Sequence, residues 1–152
     1  MQKRKLILVL CFLLVLPAFL YSQTAQRIET LLSSDALSYG QVVQFVLEAA
    51  DLSGFASPQA AFYYAAEQNW LPRNVTAGDL VTLNGLSFLI MQAFEIRGGI
   101  FYSLFRNPHY AYRELVHRNI ILGRIDPGMF VSGDTLLYVV NRVIAFQESN
   151  LL

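Results

Sequence analysis

The sequence predicts an all-α protein, a compact bundle of paired helices, on three observations. First, one apolar stripe is written three times: Val42, Phe45, Val46, Ala49 and Ala50; Leu86, Leu89, Ile90, Ala93 and Phe94; Leu136, Val139, Val140, Val143 and Ile144. Each set follows i, i+3, i+4, i+7, i+8, the spacing of one face of an amphipathic helix. Second, Ser57-Pro58 and Asn107-Pro108 each pair an N-cap oxygen with a proline at the first helical position, where no N–H is missed. Third, 152 residues that are 55% hydrophobic and 14% charged, with a formal charge of zero, suit one packed core. The same balance excludes a disordered tail and a basic nucleic-acid binder.

In chain order, Lys3, Arg4 and Lys5 precede an apolar run from Leu6 to Leu20, which ends in Leu20-Tyr21-Ser22. That is the pattern of a secretory signal cleaved after Ser22, which divides the chain into a leader (1–22) and one helical domain (23–152). The run is shorter than the ~20 residues a bilayer span needs. The alternatives are an uncleaved anchor with its positive charges held inside, and lipid attachment at Cys11, where Leu10 stands in place of the small residue expected. Removal of the leader takes the only cysteine and all lysines, and leaves eight arginines against eleven acids. The mature part then has no disulfide, no thiolate and no polybasic surface.

A short lead helix is expected from about Thr24 to Leu32. The first stripe opens at Ser38-Tyr39-Gly40-Gln41, a capping-box spacing. The next helix runs from Ser57-Pro58 to Asn69, an asparagine suited to the left-handed C′ position. Thr82 opens the second stripe, Asn107-Pro108 to Asn119 is the next helix, and Ser132 opens the third stripe. An offset of 50 relates Ser57-Pro58 to Asn107-Pro108, Ala61 to Ala111, Asn69 to Asn119, Gly78 to Gly128 and Leu86 to Leu136, and an offset of 44 relates Ser38 to Thr82. The difference lies in the connectors, six residues from Asp51 to Ala56 against twelve from Glu95 to Arg106. Repetition at this period signals stacked supersecondary units.

Asn119-Ile120-Ile121-Leu122-Gly123, the turn Asp126-Pro127-Gly128-Met129-Phe130 and the helix opening at Val131-Ser132 resemble the S-layer homology module, and Asn69-Trp70-Leu71-Pro72 through Gly78 to Val81-Thr82 is a looser copy. The resemblance covers about Ser33 to Gln147 as two full repeats and one partial one. It implies a pseudo-threefold packing and an extracytoplasmic module that holds cell-wall polysaccharide. The family's Thr-Arg-Ala-Glu type motif is missing: Ser38-Tyr39-Gly40-Gln41, Thr82-Leu83-Asn84-Gly85 and Ser132-Gly133-Asp134-Thr135 stand at its positions without the arginine.

Chemistry-bearing patterns are sparse. No nucleophile elbow, P-loop, dinucleotide fingerprint or zinc-protease motif is present, so neither an enzyme nor a cofactor is expected. Glu114 and His117 share a helical face, as in di-iron bundles, but one copy does not make a metal site. His109, Arg113 and His117 form a polar stripe. Trp70, Phe62, Tyr63 and Tyr64 are further aromatic faces, read chiefly as core and its rim. The expected role is a noncatalytic envelope module in the periplasm or on the surface of a bacterium, binding a wall polymer through Arg113, Arg118, Arg124 and Arg142 with Tyr110 and Tyr112 as stacking faces. The alternative is a scaffold for another envelope protein, docking through Ile100, Phe101, Tyr102 and Phe105 in the apolar insertion 98–105; a small envelope enzyme is the remote third reading. Nucleic acid is not an expected partner, and a membrane only through an uncleaved leader.

Overall fold

The computed structural model describes residues 26, 28–123 and 125–150; the leader, the start of the expected lead helix and Arg124 lie outside them. Among the described residues the fold is all-helical, with no strand. Contacts divide the chain into Met1–Ser34 and Asp35–Leu152. In the first unit residues 28–32 are helical, and the Thr30 hydroxyl donates to the Gln26 carbonyl at 2.9 Å.

The second unit holds six helices: α1 (Tyr39–Ala49), α2 (Pro58–Glu67), α3 (Leu83–Ala93), α4 (Ile100–Leu104), α5 (Pro108–His117) and α6 (Gly133–Asn150). The starts of α2 and α5 repeat one device. Ser57 Oγ accepts from Ala60 N–H at 3.2 Å, Asn107 Oδ1 accepts from Tyr110 N–H at 3.1 Å, and a proline follows each cap. At α1, the Gln41 side chain reaches back to accept from Ser38 N–H at 3.0 Å. The helix ends repeat a device too. Asn69 and Asn119 lie in the left-handed region at φ 59° and 56°, and so do Asp51 and Glu95 at 59° and 51°. The next residue then returns its N–H five residues back: Leu52 to Leu47, Trp70 to Ala65, Ile96 to Met91 and Ile120 to Leu115. These bonds satisfy the last carbonyls of four helices.

α1 packs on α2, α3 on α5, α1 on α3 and on α6, and α4 on α5. Val42, Leu86 and Leu136 are fully buried, as are Val46, Leu89, Ile90 and Val143. The stripe is wider than its spacing predicts. Val43 and Leu47 are buried on α1 while Phe45, Ala49 and Ala50 are half-buried. α3 is enclosed on nearly every side, including Ser87, whose hydroxyl donates back to the Leu83 carbonyl at 2.7 Å.

The openings of α1, α3 and α6 meet in a closed ring of backbone hydrogen bonds. Leu37 N–H donates to Val131 carbonyl, Val131 N–H to Val81 carbonyl, and Val81 N–H to Leu37 carbonyl, each at 2.9 Å, and all three side chains are fully buried. Two of the helix starts are then capped by the neighbouring loop. Tyr39 and Gly40 donate to the carbonyls of Asp79 and Ala77; Leu83 and Asn84 donate to those of Met129 and Pro127, the same pair of bonds moved along by 44 residues on the donors and 50 on the acceptors. At α6 the Ser132 hydroxyl accepts from Thr135 N–H instead. Unpaired first-turn N–H groups thus find acceptors in all three places.

Tyr39 joins two of these openings. Its phenol is buried and lies so close to Gly85 that a Cβ there would sit 2.3 Å from the hydroxyl oxygen. Burial pushes the Tyr39 pKa up to about 12, helped by the negative charge of Asp79, while a hydrogen bond with Thr82 acts the other way.

Candidate functional site

The twelve-residue connector after α3 shapes the most chemically varied surface of the second unit. Left-handed Glu95 ends α3 and turns the chain; Ile96 is buried behind it. Gly98 then lets the Tyr102 ring lie against the backbone, since a Cβ there would come within 2.3 Å of Tyr102 Cδ1. Gly99 N–H donates to Glu114 Oε2 at 3.0 Å, which pins the connector to α5. Tyr102, 5% exposed, meets the Gln92 side-chain amide at 2.5 Å. Burial raises the Tyr102 pKa, and the Arg106 charge and the Gln92 bond oppose that.

A two-lobed cleft results. One lobe, of about 500 Å³, lies among Trp70, Met91, Gln92, Glu95, Tyr102 and Arg106. The other, of about 480 Å³, lies among Gln68, Asn69, Arg73, Phe88, Asn107 and Pro108. Gln92 and Arg106 line both, so the lobes meet at an amide and a guanidinium. Trp70 reaches this place because the left-handed turn at Asn69 folds it back against the end of α2, where its ring stands edge-on to Tyr64 at 5.8 Å. A third hollow of about 380 Å³ is also bordered by Trp70, beside Asp51, Tyr64, Phe94 and Gln147.

Arg73 and Arg106 form no ion pair with any described residue. The cleft therefore offers unneutralised guanidinium forks, side-chain amides and an indole face, a donor set that suits hydroxyl-rich and anionic ligands.

No protein-family model, curated protein or solved structure matches this chain.

Arg124 lies outside the described residues, and none of the other residues expected to bind a wall polymer lines either lobe. Arg118 Nε pairs with Glu114 Oε1 at 2.9 Å, its other arm meets the Arg97 carbonyl, and its guanidinium lies over the Phe146 ring at 5.4 Å. Arg142 Nε donates to the carbonyls of Asn119 and Ile120 at 3.1 and 3.0 Å, closing the end of α5, and lies over Tyr138 at 5.8 Å. Tyr112 donates its hydroxyl to the Ile125 carbonyl. Arg113 is exposed and without an ion pair among the described residues. Tyr110 lies under the connector, its ring stacked at 6.0 Å from Phe101 and 5.7 Å from Phe105.

Of the residues expected to dock a protein, Ile100, Phe101 and Phe105 are exposed, at 83%, 66% and 49%, and Leu104 joins them at 71%. Tyr102 faces inward. Glu114 spends its two oxygens on Gly99 and Arg118 rather than on His117, which is exposed. No group of three or more potential metal ligands occurs among the described residues. Gln92, Arg73 and Arg106 escaped the sequence reading; the available signal was the lone tryptophan next to a helix-ending asparagine, with an arginine immediately before the second Asn-Pro cap.

Proposed function

We propose that the chain is a noncatalytic module of a bacterial envelope, carried out of the cytoplasm by its leader, which holds a wall polysaccharide or peptidoglycan in the cleft around Trp70 and Arg106. The observation that carries this reading is the meeting of two roughly 500 Å³ lobes at Gln92 and Arg106, with Trp70 and an unpaired Arg73 alongside. An indole face stacks on sugar rings, amides bond hydroxyls, and guanidinium forks accept uronate, phosphate or peptide carboxylates. The likeness to the S-layer homology module, two full repeats and a partial one, has the ring of bonds through Leu37, Val81 and Val131 in its support. In this reading Arg73 and Arg106, on the connectors, supply the charge that the missing motif arginines would have given.

Co-sedimentation with purified wall material tests the proposal. Binding is expected at low ionic strength, weakening as salt is added. The single Trp70 gives a fluorescence change on titration with soluble wall fragments. Arg106→Gln is expected to lower affinity about tenfold, the loss of one charge-assisted hydrogen bond. No sedimentation at low salt, with unchanged Trp70 emission, refutes the reading. A second reading, a scaffold for another envelope protein, would draw on the exposed apolar side chains of α4, whose small area and basic surroundings weigh against it.

A further inference from the structure

Ile100, Phe101, Leu104 and Phe105 stand together on the outer side of a five-residue helix, supported from below by the stacked ring of Tyr110. This knob is held in shape before anything binds. Tyr102 is anchored through Gln92, Gly99 through Glu114, and the Ser103 hydroxyl donates to the Gly98 carbonyl at 3.3 Å. Little ordering entropy is then lost on docking.

The stretch of sequence that carries the knob is charged unlike the rest of the chain. Arg97, Arg106, Arg113, Arg118 and Arg124 fall within 97–124, where Glu114 is the one acid. The remainder of 23–152 carries ten acids against Arg27, Arg73 and Arg142. Arg97 and Arg106 flank α4 in sequence, and Arg113 follows Tyr110 by one helical turn, so it projects from the same face. All three are exposed and make no ion pair with a described residue, and Glu114 is already satisfied by Gly99 and Arg118. The nearest other acid by sequence, Glu95, lines the same lobe as Arg97 and Arg106 but pairs with neither, so against the three arginines it leaves the rim with a positive excess.

We propose that α4 is a membrane-surface anchor, setting Ile100, Phe101, Leu104 and Phe105 into the interfacial layer of an anionic bilayer while Arg97, Arg106 and Arg113 meet its phosphate headgroups. Size and charge both favour lipid over a protein partner. The four side chains expose on the order of 500 Å² of apolar surface, below the ~800 Å² per partner of a stable protein interface. A second copy of this chain would also set one basic rim against another. A shallow apolar wedge with cations at its edge is the form that binds a lipid interface, where long arginine side chains reach up to the headgroups. This inference does not depend on the wall-polymer reading, and it revises only the argument from net charge, which averages a basic band with an acidic remainder.

Flotation of the purified full chain with vesicles tests it, using pure phosphatidylcholine and an equimolar mixture with phosphatidylglycerol. Lipid is titrated to half-binding of the parent, so that a leader common to every variant shifts all partition coefficients alike and the differences between variants stay visible. Ile100→Ser and Leu104→Ser are each expected to lower partitioning about tenfold, the value of one large apolar side chain, with the far-ultraviolet dichroism and wall co-sedimentation unchanged. Arg97→Gln with Arg113→Gln should weaken binding to the phosphatidylglycerol vesicles alone, and added salt should do the same. The proposal is overturned if the Ile100→Ser/Leu104→Ser chain floats as well as the parent, or if the parent fails to float. It is equally overturned if those two substitutions abolish a dimer, or the capture of an envelope protein, while flotation is absent.

Discussion

Gly85→Ala tests the junction between α1 and α3. The new methyl group falls 2.3 Å from the Tyr39 hydroxyl oxygen and 3.3 Å from the ring carbon that carries it. No side-chain atom tolerates the first distance, so the phenol must move and its hydrogen bond with Thr82 is strained or lost. Forcing a methyl group into a filled space costs about 1–3 kcal/mol, and the hydrogen bond about 1 kcal/mol more. Alanine gains about 0.5–1 kcal/mol over glycine in a helix, which leaves a net destabilisation of about 1–3.5 kcal/mol and a fall in Tm of about 3–12 °C. On a Tyr39→Phe background the closest contact is the 3.3 Å one, which a slight shift relieves, so Gly85→Ala becomes neutral or stabilising. Thermal and urea unfolding of the four proteins gives the coupling, expected at about 1–4 kcal/mol. Additive effects, within about 0.5 kcal/mol, would show that the phenol does not occupy the space above Gly85.

Alkaline pH provides a second test. Tyr39 ionises at about 12 in the fold and near 10.0 when unfolded, so the fold holds a proton the unfolded chain has released. Its contribution is complete below pH 10 and is lost as the pH rises toward 12; the urea midpoint should fall across that window, less steeply in Tyr39→Phe, and a flat profile in the parent contradicts the burial. Arg142→Met keeps the side-chain stem but removes the donors to Asn119 and Ile120, and should cost about 1–2 kcal/mol in urea unfolding; an unchanged midpoint would deny Arg142 its part in closing α5. Asp51→Gly, at φ 59°, should raise stability by about 0.5 kcal/mol by relieving the left-handed position, whereas Asp51→Val lowers it; the opposite order in thermal unfolding would place Asp51 in another conformation.

Local chemistry made much of this fold legible. Ser57-Pro58 and Asn107-Pro108 begin helices because a cap oxygen and a missing N–H act within one turn, and Asn69 and Asn119 end them because the left-handed conformation suits asparagine. Asp51 and Glu95 end helices in the same way with no comparable signal, since there the fold overrides residue preference. The stripes located Val42, Leu86 and Leu136, but periodicity reports a single face. α3, packed between α1 and α5, also buries Leu83, Phe88 and Met91. α4 was hidden because five residues behind a Gly-Gly pair are too few to show a period. The cleft was hidden for another reason. Gln92 and Arg106 lie on different elements, and only the turn at Glu95 and the anchoring of Tyr102 bring them to one place.

The three-way backbone circuit through Leu37, Val81 and Val131 constrains how this architecture assembles and how it can change. A linear array gains or loses a unit at its end and keeps the rest. A closed triangle has no end: Leu37 finds its acceptor only after Val131 has been synthesised, so release of a chain stopped at Leu122 would leave the first opening unmatched. Folding should accordingly be all-or-none, with late-forming long-range contacts, and a fourth copy would have nowhere to join.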